Sequence, residues 1–170
     1  MKKTLMIALA FVLVIAMSVA GTLAYLTDKT EAVTNTFTVG KVDIDLKETT
    51  GETYKMIPGE NIKKDPTVTV KTGSEASWVF VKIEKSADFD NFMTFDVADG
   101  WTELENGVYY RTVDAVATEP VTFSVIKDDT VTVKSDVVFT EEQPTLTFTA
   151  YAIQQAGFET AAAAWAEVSK

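Results

Sequence analysis

The chain has 170 residues, 46% of them hydrophobic, no Cys, no His and a formal net charge of −10. Without Cys or His it can form no disulfide or thiol switch, no Ser-His-Asp triad and no imidazole-ligated zinc site of the H-E-x-x-H kind. One arginine, Arg111, and scattered lysines leave no basic patch for nucleic acid, and the acidity serves solubility and self-repulsion.

Lys2 and Lys3 form a short positive start. Leu5 to Ala20 is apolar except for Ser18, and Gly21-Thr22-Leu23-Ala24 follows with small residues. This is the pattern of a signal peptide, here a helix over residues 1–24. With Thr22 at −3 and Ala24 at −1, cleavage falls before Tyr25. A cut after Ala20 is the weaker alternative. An uncleaved anchor is another, since no charge appears from Thr4 to Thr27 and that length spans a bilayer. The small residues and the missing basic stop-transfer cluster favour cleavage.

Residues 25–170 then form one β-domain, opening on a flexible polar segment over 25–34. From Asn35 the chain alternates. Phe37 and Val39 share one parity, and Val42, Ile44 and Leu46 share the other. A single extra residue shifts the phase in this way, so a β-bulge or bend is predicted at Gly40.

Lys47 to Asp65 reads as a polar connection with turns at Thr50-Gly51 and Pro58-Gly59. Thr67 to Lys71 is a strand bounded by Pro66. Ser77 to Lys85 is the strongest strand: Val79, Val81 and Ile83 face one way, Trp78 and Phe80 the other, followed by Lys82 and Glu84. That suits a central strand whose second face is covered at one end. Ala87 to Gly100 is compatible with a helical turn and with a strand near Thr94 to Val97. Trp101–Leu104 and Val108–Val113 make a hairpin around Asn106-Gly107.

Val121–Ile126 and Thr130–Lys134 are strands on either side of a turn at Asp128-Asp129, with Val137 to Phe139 as a possible extension. The last strand is Thr145–Ile153, ending in a tightly packed seam. Residues 158–168 are the one clear helix, with Thr160 able to cap a shorter one and Trp165 as anchor. About eight to nine short strands plus one C-terminal helix indicate an all-β, jelly-roll-like sandwich.

Asp88, Asp90 and Asn91, with Asp96 or Asp99, are a carboxylate-only set that would suit Ca²⁺ or Mg²⁺. They lack the Gly and distal Glu of an EF-hand loop and read as a solvated turn, so no metal and no cofactor is expected. Trp78, Trp101 and Trp165 could stack a sugar, but core packing is the commoner use of such residues.

The stretch AGTLAYLTDKTEAVTNTFTVGKVDIDL resembles exported proteins of the TasA/camelysin type. The pattern is carried by Asn35, Phe37, Gly40, Val42, Ile44 and Leu46. Ile57-Pro58-Gly59-Glu60, Ser77 to Glu84 and the ending around Tyr151–Gln154, Gly157–Thr160 and Ala164-Trp165 are similar too.

The resemblance implies a secreted jelly-roll protein of the extracellular matrix or cell surface, with its leader removed by a SipW-type signal peptidase. It implies assembly with itself, and with other matrix proteins, into biofilm fibres. Tyr25, Leu26, Thr27 and Asp28 would begin the donated strand, which extends to Thr34. No membrane association is expected after cleavage. The alternatives are a monomeric carbohydrate- or surface-binding module and a camelysin-like metalloendopeptidase. The missing His weighs against the latter.

Overall fold

The computed structural model describes residues 40–51, 53–139 and 143–170. The predicted leader, the cleavage residues Thr22, Ala24 and Tyr25, the donor residues Leu26, Thr27 and Asp28, and the strand from Asn35 to Val39 lie outside these. Gly40 is described, directly before an isolated bridge between Lys41 and Ser74. A bulge there needs a paired strand on both sides, and one side is outside the described residues.

The fold is all-β. Among the described residues ten strands run in the order β1 (Ile44–Lys47), β2 (Asn61–Lys63), β3 (Thr67–Val70), β4 (Ser77–Lys85), β5 (Met93–Thr94), β6 (Thr102–Glu105), β7 (Val108–Val113), β8 (Val121–Ser124), β9 (Thr130–Val133) and β10 (Leu146–Gln154), with one C-terminal helix, Ala161–Val168. They pair antiparallel as β1-β3-β8, β2-β9-β5 and β10-β4-β7-β6.

The two three-stranded sheets are one layer. Between β2 and β3 lie Lys64 to Pro66, and opposite them Val125 to Asp129, three residues facing five. The Lys64 amide still donates to the Asp129 carbonyl (2.8 Å), and the Val125 amide to that of Pro66 (2.9 Å). Asp128 and Asp129 absorb the excess with φ of 54° and 49°, a conformation Asp tolerates better than most residues. The predicted turn is therefore a bulge inside a strand pair. Counting each bent pair of segments as one strand gives eight, within the expected range.

Valine and aromatic residues make β4 the centre of the sandwich. Val79, Val81 and Ile83 face β3 across a core with Val68, Val70, Val113 and Val125. Each such side chain taken out of water contributes about 1.5–3 kcal/mol. On the opposite face Phe80 packs with Val108, Ala161 and Ala164 beneath the helix. Where the helix ends, Lys82 is half-buried and Glu84 exposed, as the alternation predicted. A third cluster, Phe89, Phe92, Met93, Ile126, Val131 and Val133, fills the end of the sandwich beside β2, β9 and β5.

Several expectations change in detail. The helix is shorter than 158–168. It starts at Ala161, where the Thr160 hydroxyl accepts the Ala163 amide at 3.2 Å, so the side chain offers a better start than Phe158. The region Ala87–Gly100 holds both a helical turn, Phe89–Phe92, and the short β5. Val137 to Phe139 do not extend β9; Phe139 instead stacks on Phe92 at 6.1 Å.

In the β6–β7 hairpin only Gly107 takes positive φ (76°), and the pairing slips between Glu103 and Glu105. A Cβ on Gly107 would stand 2.7 Å from the Ile83 carbonyl oxygen, which accounts for glycine at that position.

Candidate functional site

The antiparallel ladder defines where the sandwich is open. The Ser86 amide donates to Thr145, and the Gln155 amide to Ala76. Bonds alternate along an antiparallel pair, so Thr147, Thr149, Tyr151 and Ile153 bond β4. Leu146, Phe148, Ala150, Ala152 and Gln154 direct both N–H and C=O outward. β10 pairs with β4 alone, and among the described residues no strand meets these outward groups.

The same reasoning applies to β1. The Lys71 amide donates to the Asp43 carbonyl, which leaves the Ile44 and Leu46 backbone outward on the far side from β3. The core-facing side chains along these two edges are half-buried, whereas Val79 and Val81 on β4 are fully buried. Among the described residues no strand pairs across the seam expected at the last strand, between β10 and β1. It is lined by nine residues of edge strand on β10 and four on β1.

The seam has two distinct ends. At one, Gln154 lies opposite Ser77, close to the Lys41–Ser74 bridge where the described chain begins. At the other, Leu146 borders a cleft of about 540 Å³ walled by Tyr54, Met56, Ile62, Phe89 and Met93. Lys64 stands there over the rings of Tyr54 (5.0 Å) and Phe148 (5.5 Å) and pairs with Glu48 at 2.8 Å. Of the four exposed large apolar residues among those described, three, Ile57, Val138 and Phe139, belong to this end, beside Met56 and Phe92.

The loop leading to the cleft is tied down by Asp65. Its carboxylate accepts the Thr49 amide (2.9 Å), the Thr50 amide (3.1 Å), the Thr50 hydroxyl (2.9 Å) and the Thr49 hydroxyl. These bonds, led by the Thr49 hydroxyl, hold its pKa far below the usual carboxylate range.

The remaining candidates separate. Trp78 lies beneath the helix and Trp165 on it, Trp165 at 5.3 Å from Phe80 and 5.2 Å from Tyr151, with its indole N–H donating to Glu105 at 2.7 Å. Trp101 is on the other side of that sheet, against Phe123 and Arg111. The three form no common platform. The Arg111 guanidinium sits 3.6 Å from the Phe123 ring centre, its Nε is buried without a hydrogen-bond partner, and burial lowers its pKa. It is a packing element between the layers. Of the acidic set, Asp90 pairs with Lys85 at 2.9 Å and Asp99 faces Lys127 at 3.9 Å.

Residues 1–87 match the family described as camelysin metallo-endopeptidase. The chain belongs to the camelysin family. The match spans half of the chain and ends just after β4, so β10 and the helix lie beyond it. Nothing among the curated proteins or the solved structures matches the chain. Camelysin-family proteins are exported, extracellular or surface-associated. Among the described residues no helix is long and apolar enough to cross a membrane.

The metal in the camelysin family's description finds no fitting donor set here. The chain has no His and no Cys, and among the described residues no three carboxylates gather as ligands. A zinc peptidase centre needs nitrogen or sulfur donors, so no catalytic step is derived through zinc. The open seam emerged only from the fold. Alternation marks Thr145–Ile153 as a strand but says nothing of which edge lacks a neighbour.

Proposed function

We propose that the chain is an exported structural protein that assembles into extracellular biofilm-matrix or surface fibres by strand donation. The leader, residues 1–24, is removed between Ala24 and Tyr25 by a SipW-type signal peptidase. The freed N-terminal segment, beginning with Tyr25, Leu26, Thr27 and Asp28, supplies the donor. The partner is a second copy of the chain, with other matrix proteins able to join.

One observation carries this reading: among the described residues the nine-residue β10 pairs on one side only, with five outward-facing backbone units and half-buried side chains beside them. Such an edge is a template for another strand. Donation from one copy to the next is head-to-tail and yields open filaments. The residue chemistry supports a structural role over the peptidase named in the family's description, because the sequence has no imidazole or thiol to hold zinc.

The test compares the chain starting at Tyr25 with one lacking residues 25–34, by light scattering and electron microscopy. Fibres from the first and monomers from the second are expected. A Tyr25 chain that stays monomeric at every concentration overturns the proposal.

A further inference from the structure

We infer that the cleft beside Leu146 binds a small uncharged amphiphile, an alkyl or aryl body with a hydroxyl or carbonyl head, and that Glu48 sets this selectivity by neutralising Lys64. The inference goes beyond the strand-donation reading and does not depend on it.

The floor of the cleft is apolar and drawn from separate elements. Ile62 comes from β2, Met93 from β5, Val131 from β9, Leu146 from β10 and Phe89 from the helical turn. Phe89, Met93 and Val131 belong to the buried cluster at this end, and Met56, Ile62 and Leu146 pack on it half-buried. At about 540 Å³ the cleft falls within the roughly 300–1,000 Å³ of small-molecule sites. Met56 and Met93 are unbranched and adapt to the shape of an occupant.

The wall is held in place by bonds within the chain. Asp65 fixes Thr49 and Thr50. The Tyr54 hydroxyl donates to the Gly51 carbonyl and lies 3.1 Å from the Thr50 hydroxyl. The loop that carries Tyr54 and leads to Met56 is thereby set before a ligand arrives, so little ordering cost falls on binding.

Charge then selects the ligand. The Lys64 side chain is 12% exposed, and that of Glu48, 21% exposed, accepts from its ammonium at 2.8 Å. An ammonium alone at this position would draw a carboxylate. Paired, its charge is cancelled, and an anion entering the cleft meets the Glu48 carboxylate as well as the field of a chain of net charge −10. The ammonium has three N–H donors, so an uncharged oxygen can accept from it without breaking the pair. Gln143 and Thr145 border the same cleft, and their amide and hydroxyl groups suit the same head.

The test titrates the chain starting at Tyr25, in its monomeric form, with phenylnaphthylamine, an uncharged apolar fluorophore. Saturable enhancement at one site per chain is expected. Decanol should displace the probe, and decanoate should do so about tenfold more weakly, the effect of one charge pair. Glu48→Gln frees the Lys64 ammonium, so decanoate should gain about tenfold while decanol is unchanged. Met56→Trp and Leu146→Trp fill the cleft and should each weaken the probe at least fivefold, with circular dichroism reporting which variant is folded.

Absence of saturable binding, as when another part of the chain occupies the cleft, overturns the site. So does unchanged binding in either folded tryptophan variant. Decanoate that competes as well as decanol, or gains nothing in Glu48→Gln, overturns the selectivity assigned to Glu48. Fibre formation enters none of these readouts, so the site and strand donation stand or fall separately.

Discussion

The alternation of hydrogen bonds along β10 makes a prediction that depends on parity alone. Proline has no N–H and is tolerated where a strand's N–H faces outward. At Ala150 the N–H points into the seam, so Ala150→Pro removes no bond to β4. Its cost is the adjustment of φ, about 1 kcal/mol. At Thr149, paired with Lys82, proline removes a ladder bond and leaves the Lys82 carbonyl without its donor. That adds about 1–3 kcal/mol to the same φ cost.

The two neighbouring variants should therefore differ by about 2 kcal/mol, or about 6 °C in Tm for a body of this size. Urea and thermal unfolding followed by circular dichroism in the monomeric form measure the difference. Assembly should respond in the opposite sense: Ala150→Pro keeps the fold and loses fibres. Equal destabilisation by both variants, or greater loss from Ala150→Pro, refutes the assignment of inward and outward groups.

Three further predictions concern the body. Trp165→Ala should cost about 2–3 kcal/mol by stripping the helix from Phe80 and Tyr151, read as a lower urea midpoint. Trp165→Phe should cost about 1 kcal/mol by losing the bond to Glu105. Gly107→Ala should cost about 2 kcal/mol or more, since a left-handed φ and a 2.7 Å approach to the Ile83 carbonyl both oppose a Cβ; the check is a thermal melt against an Asn106→Ala control.

Asp65 has a depressed folded pKa. Its contribution is present above its unfolded value of about 3.9 and is lost as pH falls through the folded one. From pH 4 downward the wild type should lose stability more steeply than Asp65→Asn. At neutral pH the variant should be cut faster by protease in the Thr49–Tyr54 loop.

Much of the body was legible because local rules and tertiary packing agree in it. β4 has valines on one face and aromatics followed by charges on the other, and both faces meet the partners that pattern implies. Thr160 caps its helix, and Gly107 turns its hairpin. The places that were not legible depend on residues distant in sequence.

β2 is only Asn-Ile-Lys, too short and polar to announce itself, and is made a strand by pairing with β9. Asp65 reads as an ordinary loop acid until Thr49 and Thr50, sixteen and fifteen residues away, close on it. The open edge at β10 is invisible to periodicity, because Leu146, Phe148, Ala150 and Ala152 show the same alternation whether or not a neighbour covers them.

The same alternation ties the helix to the edge. Tyr151 and Ile153, whose backbones bond β4, send their side chains under the helix, and Trp165 stands edge-on against Tyr151. β10 is thus braced from behind, and among the described residues no strand pairs with its other flank. A surface held rigid before its partner arrives loses little freedom on association, so the ordering penalty falls on the incoming segment, about 1–2 kcal/mol for each residue fixed. Fibre growth would then be governed by the stiffness of the donor. A substitution that pre-extends the donor would accelerate elongation, and one that stiffens the receiving body further would not.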